Sequence, residues 1–352
     1  MRKEKFFIGI MAAATFFVAC GQKGSKTETA DLSGAGATFP APFYNIVFKN
    51  FTENSGNNVT YGAVGSGGGI RSLKDKTVDF GATDVFLSDT ELAEMGSDVV
   101  HIPTALGAVV MSYNLKEIKE LKLTASLISE IFRGKITHWN DAKIKAVNPS
   151  LALPNKPITA VYRSDGSGTT AVFSDYLAKT DEAWKNEVGM GKSLNFPAGV
   201  AAKGNPGVAG VVAETDGAIG YIGSEYALAL GLPAASVQNS SGIFMLANDK
   251  SISAAADTEI PADTRTSITN SPNPAAYPIS TFTWLIAYKE QSYNNRTIAQ
   301  AKALQQLLTY IIGKNAQEVA VKTNYAPLAE NVRYKTTTII KSMTYNGKSI
   351  EN

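Results

Sequence analysis

The chain has 352 residues, with 33 Lys and Arg, 31 Asp and Glu, and a formal net charge of +2. Its sequence pI of about 8.3 is no nucleic-acid signal, because no basic block or aromatic–basic stripe accompanies it. A single cysteine excludes disulfides within the chain, so stability must come from burial.

Arg2, Lys3 and Lys5 form a basic start, and Phe6 to Ala19 is an apolar run of fourteen residues. That run is short for a membrane span, which needs about 20 residues, and suits the apolar region of a secretory signal. Cys20, the only cysteine, follows the small residue Ala19. The segment resembles a bacterial lipoprotein signal that acylates its cysteine, although Phe17 stands where leucine is usual. A cleaved secretory signal with a chance cysteine is the other reading. Removing residues 1–19 takes away three basic groups and one acid, leaving 30 of each and no net charge.

Residues 21–30 are small and polar and read as a flexible tether. From Asp31 onward, short apolar strands alternate with amphipathic helices. Strands are predicted over Val59–Val64, Val78–Ala82, Ala108–Tyr113, Ile158–Tyr162, Ala218–Ile222 and Thr281–Tyr288. Helical spacing is carried by Leu127, Ile128, Ile131 and Phe132, with Gly134 placed to end the helix. It recurs at Val172, Phe173, Tyr176 and Leu177, and at Leu304, Leu307, Leu308 and Ile311 before Gly313. The alternation predicts an α/β protein with mainly parallel sheets. Gln238 to Pro278, rich in Ser, Asn, Asp and Pro, reads as a variable loop region.

Four segments share a chemistry suited to anions: GAGATFP (Gly34–Pro40), GSGGG (Gly65–Gly69), FGATD (Phe80–Asp84) and RSDGSGTT (Arg163–Thr170). Glycines let backbone N–H groups approach a ligand, Ser and Thr add hydroxyl donors, and a helix start offers unpaired N–H groups with a favourable dipole. Each alone is as well read as a plain turn, Asp84 as a helix cap, and Arg163 with Asp165 as a structural ion pair. Gly204 to Gly210 reads as a tight turn packing one lobe rather than a further anion-facing helix start.

Other chemistries fail on spacing. Gly189-Met-Gly-Lys-Ser193 lacks the first glycine of a nucleotide-phosphate loop, since position 186 is Asn186. Phe39 occupies the third glycine position of a dinucleotide fingerprint. His101 and His138 are far apart in sequence, and one cysteine makes no metal cluster. No Gly-x-Ser-x-Gly elbow occurs. Trp139, Trp184 and Trp284 read as core.

The segments GAGATFPAP, GSGGG, VDFGATD, RSDGSGTT and DGAIGY, in this order, resemble the phosphate-binding protein of the bacterial ABC phosphate importer. GKITHWN (Gly134–Asn140), AYPIS (Ala276–Ser280) and YAPL (Tyr325–Leu328) add to the likeness. The resemblance implies a two-lobed periplasmic-binding-protein fold of type II, each lobe a mainly parallel sheet flanked by helices. Lobe I would comprise residues 31–111 and 281–352, and lobe II residues 112–280, joined by a hinge.

The resemblance also implies a phosphate site. Thr38 and Phe39 would give backbone donors, with the Thr38 hydroxyl, and Ser66 the donor of the glycine-rich loop. Asp84 would be the carboxylate touching the ligand. Arg163, Ser167, Gly168 and Thr169 would form the second-lobe cluster, with Asp165 holding the arginine. The implied protein is a monomeric receptor, not an enzyme, with no cofactor or metal, anchored by lipid on Cys20 and docking on permease subunits. A receptor for another tetrahedral oxyanion, or a secreted phosphatase on a related scaffold, are the alternatives. A metal pair, histidine or activated nucleophile is what a phosphatase would want, and the sequence offers no metal cluster and no histidine in or beside these segments.

Overall fold

The computed structural model describes residues 29–350, so the signal-like segment and Cys20 lie outside the described residues. In chain order, the first half runs β1 (Asp31–Gly36), α1 (Ala41–Ser55), β2 (Asn58–Ala63), α2 (Ser66–Lys74), β3 (Phe80–Thr83), α3 (Asp89–Glu94) and β4 (Val99–Tyr113). Then come β5 (Lys122–Leu123), α4 (Ala125–Phe132), α5 (Ala142–Val147), β6 (Thr159–Arg163), α6 (Gly168–Thr180) and α7 (Glu182–Glu187). They are followed by β7 (Val200–Ala202), α8 (Gly204–Glu214), β8 (Ala218–Gly223), α9 (Ser224–Ala229), β9 (Ser236–Gln238), β10 (Phe244–Met245) and α10 (Asp249–Ala255). The chain closes with β11 (Ser280–Tyr288), α11 (Ile298–Ile311), α12 (Lys314–Lys322), α13 (Glu330–Lys341), β12 (Thr344–Tyr345) and β13 (Lys348–Ser349).

Eight strands form one sheet in the order β2-β1-β3-β11-β4-β8-β6-β7. Both flanks pair in parallel, β1 with β2 and β3 on one side and β6 with β7 and β8 on the other. The centre is antiparallel, through β3–β11, β11–β4 and β4–β8. The result is a two-lobed α/β fold. β4 belongs to both halves: Val99–Ala108 pairs with β11, and Val109–Tyr113 pairs with β8. β11 lies between β3 and β4 and is buried at all nine positions, so its three polar residues, Ser280, Thr281 and Thr283, each place their hydroxyl in a hydrogen bond.

β1 was not expected, because DLSGAG carries little β-branched or aromatic character. Close packing explains the composition: a Cβ on Gly34 would lie 2.1 Å from the Phe80 ring. β4 starts nine residues before the predicted strand at Ala108. Gln238 to Pro278 is not all loop, since it holds β10 and α10, the latter opened by an Asn248–Ser251 capping box. The polar residues that suggested a loop include that cap.

The three tryptophans are fully buried. In the second lobe the Phe173 ring stacks on Tyr221 at 4.3 Å, joining α6 to β8. His101 is buried and accepts the Leu87 N–H, and His138 is exposed. Among the described residues no group of His, Cys, Asp or Glu could hold a metal ion, and no helix is long and apolar enough to cross a membrane.

Candidate functional site

Five connections leave the C-terminal ends of parallel-flank strands and converge: those after β1, β2, β3, β6 and β7. In open α/β sheets this is the edge where helix N-termini point and ligands collect. The four segments singled out in the sequence supply four of these connections.

On the first-lobe side, the turn after β1 is held by its carbonyls. The Tyr61 hydroxyl donates to Ala37 O at 2.7 Å, the Tyr325 hydroxyl to Phe39 O at 2.6 Å, and the Tyr226 hydroxyl to Thr38 O. With its acceptors engaged by three tyrosines, the turn has its N–H side for other partners. Phe39 is buried edge-on against the Tyr325 ring. Ser66 opens α2 and is fully buried. Asp84 follows β3 directly and is 1% exposed. The neighbouring strand β11 holds it, with the Thr283 hydroxyl donating to Oδ1 at 2.9 Å and the Thr281 hydroxyl to the main-chain O at 3.0 Å.

On the second-lobe side, Arg163 ends β6 with its guanidinium buried. Its Nε and Nη2 donate to the two oxygens of Asp165 at 2.7 and 2.5 Å, a bidentate pair that fixes the plane of the fork. Nη1 donates to Thr169 Oγ1 at 3.2 Å. Asp165 Oδ1 also accepts the Gly204 N–H at 3.0 Å, which ties β6 to the start of α8. Ser167 caps α6 by accepting the Thr170 N–H, so Gly168 and Thr169 occupy the first turn.

The two sides meet directly. Gly168 N–H donates to Ser66 Oγ at 3.1 Å, and Gly67 N–H to Gly166 O at 2.9 Å. A Cβ at Gly168 would fall 2.4 Å from Ser66 Oγ and 2.6 Å from Asp84 Oδ2, so only glycine lets the helix start reach the carboxylate. Beside Asp84 the interface widens into a cavity of about 420 Å³. Phe86, Val172 and Trp284 are among its walls. The Lys192–Glu91 ion pair spans it at 2.7 Å.

Burial acts on three carboxyls here, and an arginine reverses its effect at one of them. Burial pushes Asp84 up to about 7, against the Thr283 hydroxyl, the Arg163 charge and the Ser66 hydroxyl. Burial also acts against the Asp165 carboxylate, but the Arg163 fork and the Gly204 N–H outweigh it and hold the group below the usual range. Glu225, at the start of α9, is pushed by burial up to about 8. Neither of its carboxyl oxygens has a hydrogen-bond partner among the described residues.

Thr38, Phe39, Ser66, Asp84, Arg163, Ser167, Gly168 and Thr169 all fall in this one buried cluster, with Asp165 at its edge. Sequence reasoning missed Thr283, the three tyrosines and Asn205. Gly204–Gly210 opens helix α8 and is not the tight turn expected, and Asn205 in its first turn is fully buried and reaches Thr38 and Thr169 at once. Its polar type beside Gly204 was the available signal. Thr283 sits in a mostly apolar strand, where a threonine reads as β-branched filler.

Residues 21–315 match the family model of the PBP superfamily domain. The phosphate-binding protein PstS of Xylella fastidiosa (strain 9a5c) is 38% identical over 312 residues, 87% of this chain and 84% of the relative. That of Haemophilus influenzae is 35% identical over 94% of this chain and 96% of its own length. Among solved structures, a high-affinity periplasmic phosphate-binding protein with bound phosphate superposes with a TM-score of 0.71 at 22% identity. It covers 88% of this chain and 93% of that one. Identity and coverage at this level show that the chain belongs to the PBP superfamily and, within it, to the PstS family of phosphate-binding proteins.

Proposed function

We propose that this chain captures inorganic phosphate outside the cytoplasmic membrane and hands it to the permease of an ABC importer. The observation that carries the reading is Asp84: a buried carboxyl, raised to about 7, set among hydroxyl and N–H donors. A carboxylate beside an anion should repel it, and in low dielectric the repulsion costs several kcal/mol. Phosphate near neutral pH keeps at least one proton and can donate it to Asp84. Sulfate is fully deprotonated and has nothing to give. A charge-assisted hydrogen bond, about 1.5–3 kcal/mol, then replaces a like-charge contact. The remaining wall is nearly neutral, because Asp165 balances Arg163.

In this reading Thr38, Phe39, Ser66, Arg163, Ser167, Gly168 and Thr169 contact the guest, and Asp165 orients the arginine. Lobe I is residues 31–111 with 281–352, and lobe II is residues 112–280. Both contribute donors, so a guest favours the state in which they meet, and closure follows as a population shift about β4 and the approach to β11. The closed monomer docks on the permease. An acyl chain on Cys20 keeps the receptor near the membrane, with more than one chain needed for firm anchoring. Titration calorimetry of the mature chain with phosphate, arsenate and sulfate tests the proposal. Tight phosphate binding with no sulfate heat is expected, and equal affinities would overturn it. Turnover of a chromogenic phosphate ester would favour the phosphatase reading.

A further inference from the structure

A hydroxyl has one proton to donate and two lone pairs to accept with. At two threonines of the cluster both lone pairs are taken. Thr38 Oγ1 accepts the Asn205 main-chain N–H at 3.1 Å and the Asn205 side-chain Nδ2 at 3.0 Å. Thr169 Oγ1 accepts the same Nδ2 group at 3.0 Å and Arg163 Nη1 at 3.2 Å. Which way the Asn205 amide faces is set independently. Its Oδ1 accepts the Gly223 N–H at 2.9 Å, and a flipped amide would place two donors face to face there. The side chain is 0% exposed and uses its acceptor and both its protons, so nothing in the site competes to turn it.

We propose that Asn205 is a positioning and specificity residue of the anion site, which occupies the lone pairs of Thr38 and Thr169 so that both hydroxyls can only donate. The proposal rests on the phosphate reading above. Its chemical consequence is that the guest must present unprotonated oxygens to these two threonines. A proton carried by the guest is thereby directed toward Asp84, the group able to accept it. An ester oxygen or a second guest proton at either threonine would meet a mismatch. Asn205 crosses the lobes as well, since Thr38 comes from the connection after β1 and Thr169 from α6. Orientation of the donors is therefore coupled to closure.

A double-mutant cycle separates this role from simple packing. Phosphate affinity is measured by calorimetry for the wild type, Asn205→Ala, the Thr38→Val/Thr169→Val pair, and all three changes together, with thermal melts alongside. Asn205→Ala should weaken binding roughly tenfold or more in the wild-type background, and by less than about threefold once the hydroxyls are gone. Asn205→Asp keeps the shape but replaces the Nδ2 donor with an acceptor, inviting both hydroxyls to turn; a loss of about a hundredfold is expected. This variant carries the cycle if the alanine chain fails to fold. Equal losses in both backgrounds, or variants that bind phosphate like the wild type, would overturn the inference. A wild type that does not bind phosphate overturns the functional reading itself, and the role of Asn205 with it.

Discussion

Asp84 and Asp165 stand on opposite walls of one cluster, the first fully buried and the second at its edge, and their protons are held with opposite strength. Asp84 has hydroxyl and N–H neighbours and rises to about 7, whereas Asp165 shares a fork with Arg163 and stays below the usual range. Burial disfavours charge at both, more strongly at the enclosed Asp84, and the type of partner widens the difference. Dipolar partners stabilise an ion less than a bidentate cation does. The first wall can therefore exchange a proton with a guest, and the second holds a fixed, balanced pair. On the proposed reading phosphate uses both: one wall reads the guest's proton and the other receives its unprotonated oxygens.

Removing the titratable wall should have the largest effect. Asp84→Asn keeps the shape and ends the repulsion of a fully deprotonated anion. Discrimination between phosphate and sulfate, on the order of 10³ if one charge-assisted bond and one repulsion are at stake, should collapse. Calorimetry with both anions reads this, and an unaltered ratio would place selectivity elsewhere. Breaking the fixed wall comes next. Arg163→Ala removes a donor and strands the Asp165 carboxylate, so phosphate affinity should drop about tenfold or more. If Arg163→Ala binds as the wild type does, the fork is purely structural.

The same contrast explains what was legible in the sequence. Gly-rich segments with Ser, Thr and one Arg carry their chemistry locally, so the second wall can be read from RSDGSGTT as a strand end running into a helix start. Asp84 is visible as a residue, but its raised affinity for a proton comes from burial by the whole fold, and the hydroxyl that holds its carboxylate, Thr283, is 199 residues away. Asn205 is likewise 167 residues from Thr38. Pairings at such separations leave no local period. The fold shows the same division: parallel flanks follow from β/α alternation, while the antiparallel centre depends on β11 returning between β3 and β4. β1 was hidden because its small residues answer to Phe80 packing and not to strand propensity.

A change of pH should sharpen the comparison without a mutation. Below about 7 Asp84 gains a proton and can donate to sulfate instead of repelling it. The phosphate-to-sulfate preference should accordingly shrink from about pH 8.5 to about pH 5.5, by roughly tenfold per unit of lost difference at most. Asp165 remains ionised over that range, because its shift is downward, and does not contribute. A preference that is flat in pH would mean that Asp84 never carries the proton.

Glu225 extends the series to a buried carboxyl whose oxygens lack hydrogen-bond partners among the described residues, and its effect should appear in stability. Its ordinary value of 4.5 rises to about 8 in the fold, so the folded chain keeps a proton that the unfolded chain releases. Stability from this group is complete below about 4.5 and is lost as pH rises through about 8. Asp84 acts in the same direction but is spent by about 7, which leaves the decline between the two values mostly to Glu225. His101, lowered by burial to about 4, acts in acid and cancels between variants. Glu225→Gln retains the size and removes the ionisation. Melting curves should then show a variant that matches the wild type near pH 5 and exceeds it by several degrees near pH 8.5, where the wild type must either ionise a buried carboxyl or open. Parallel melting curves for the two chains across that range would show that Glu225 finds a partner when it ionises, and would remove it from the series.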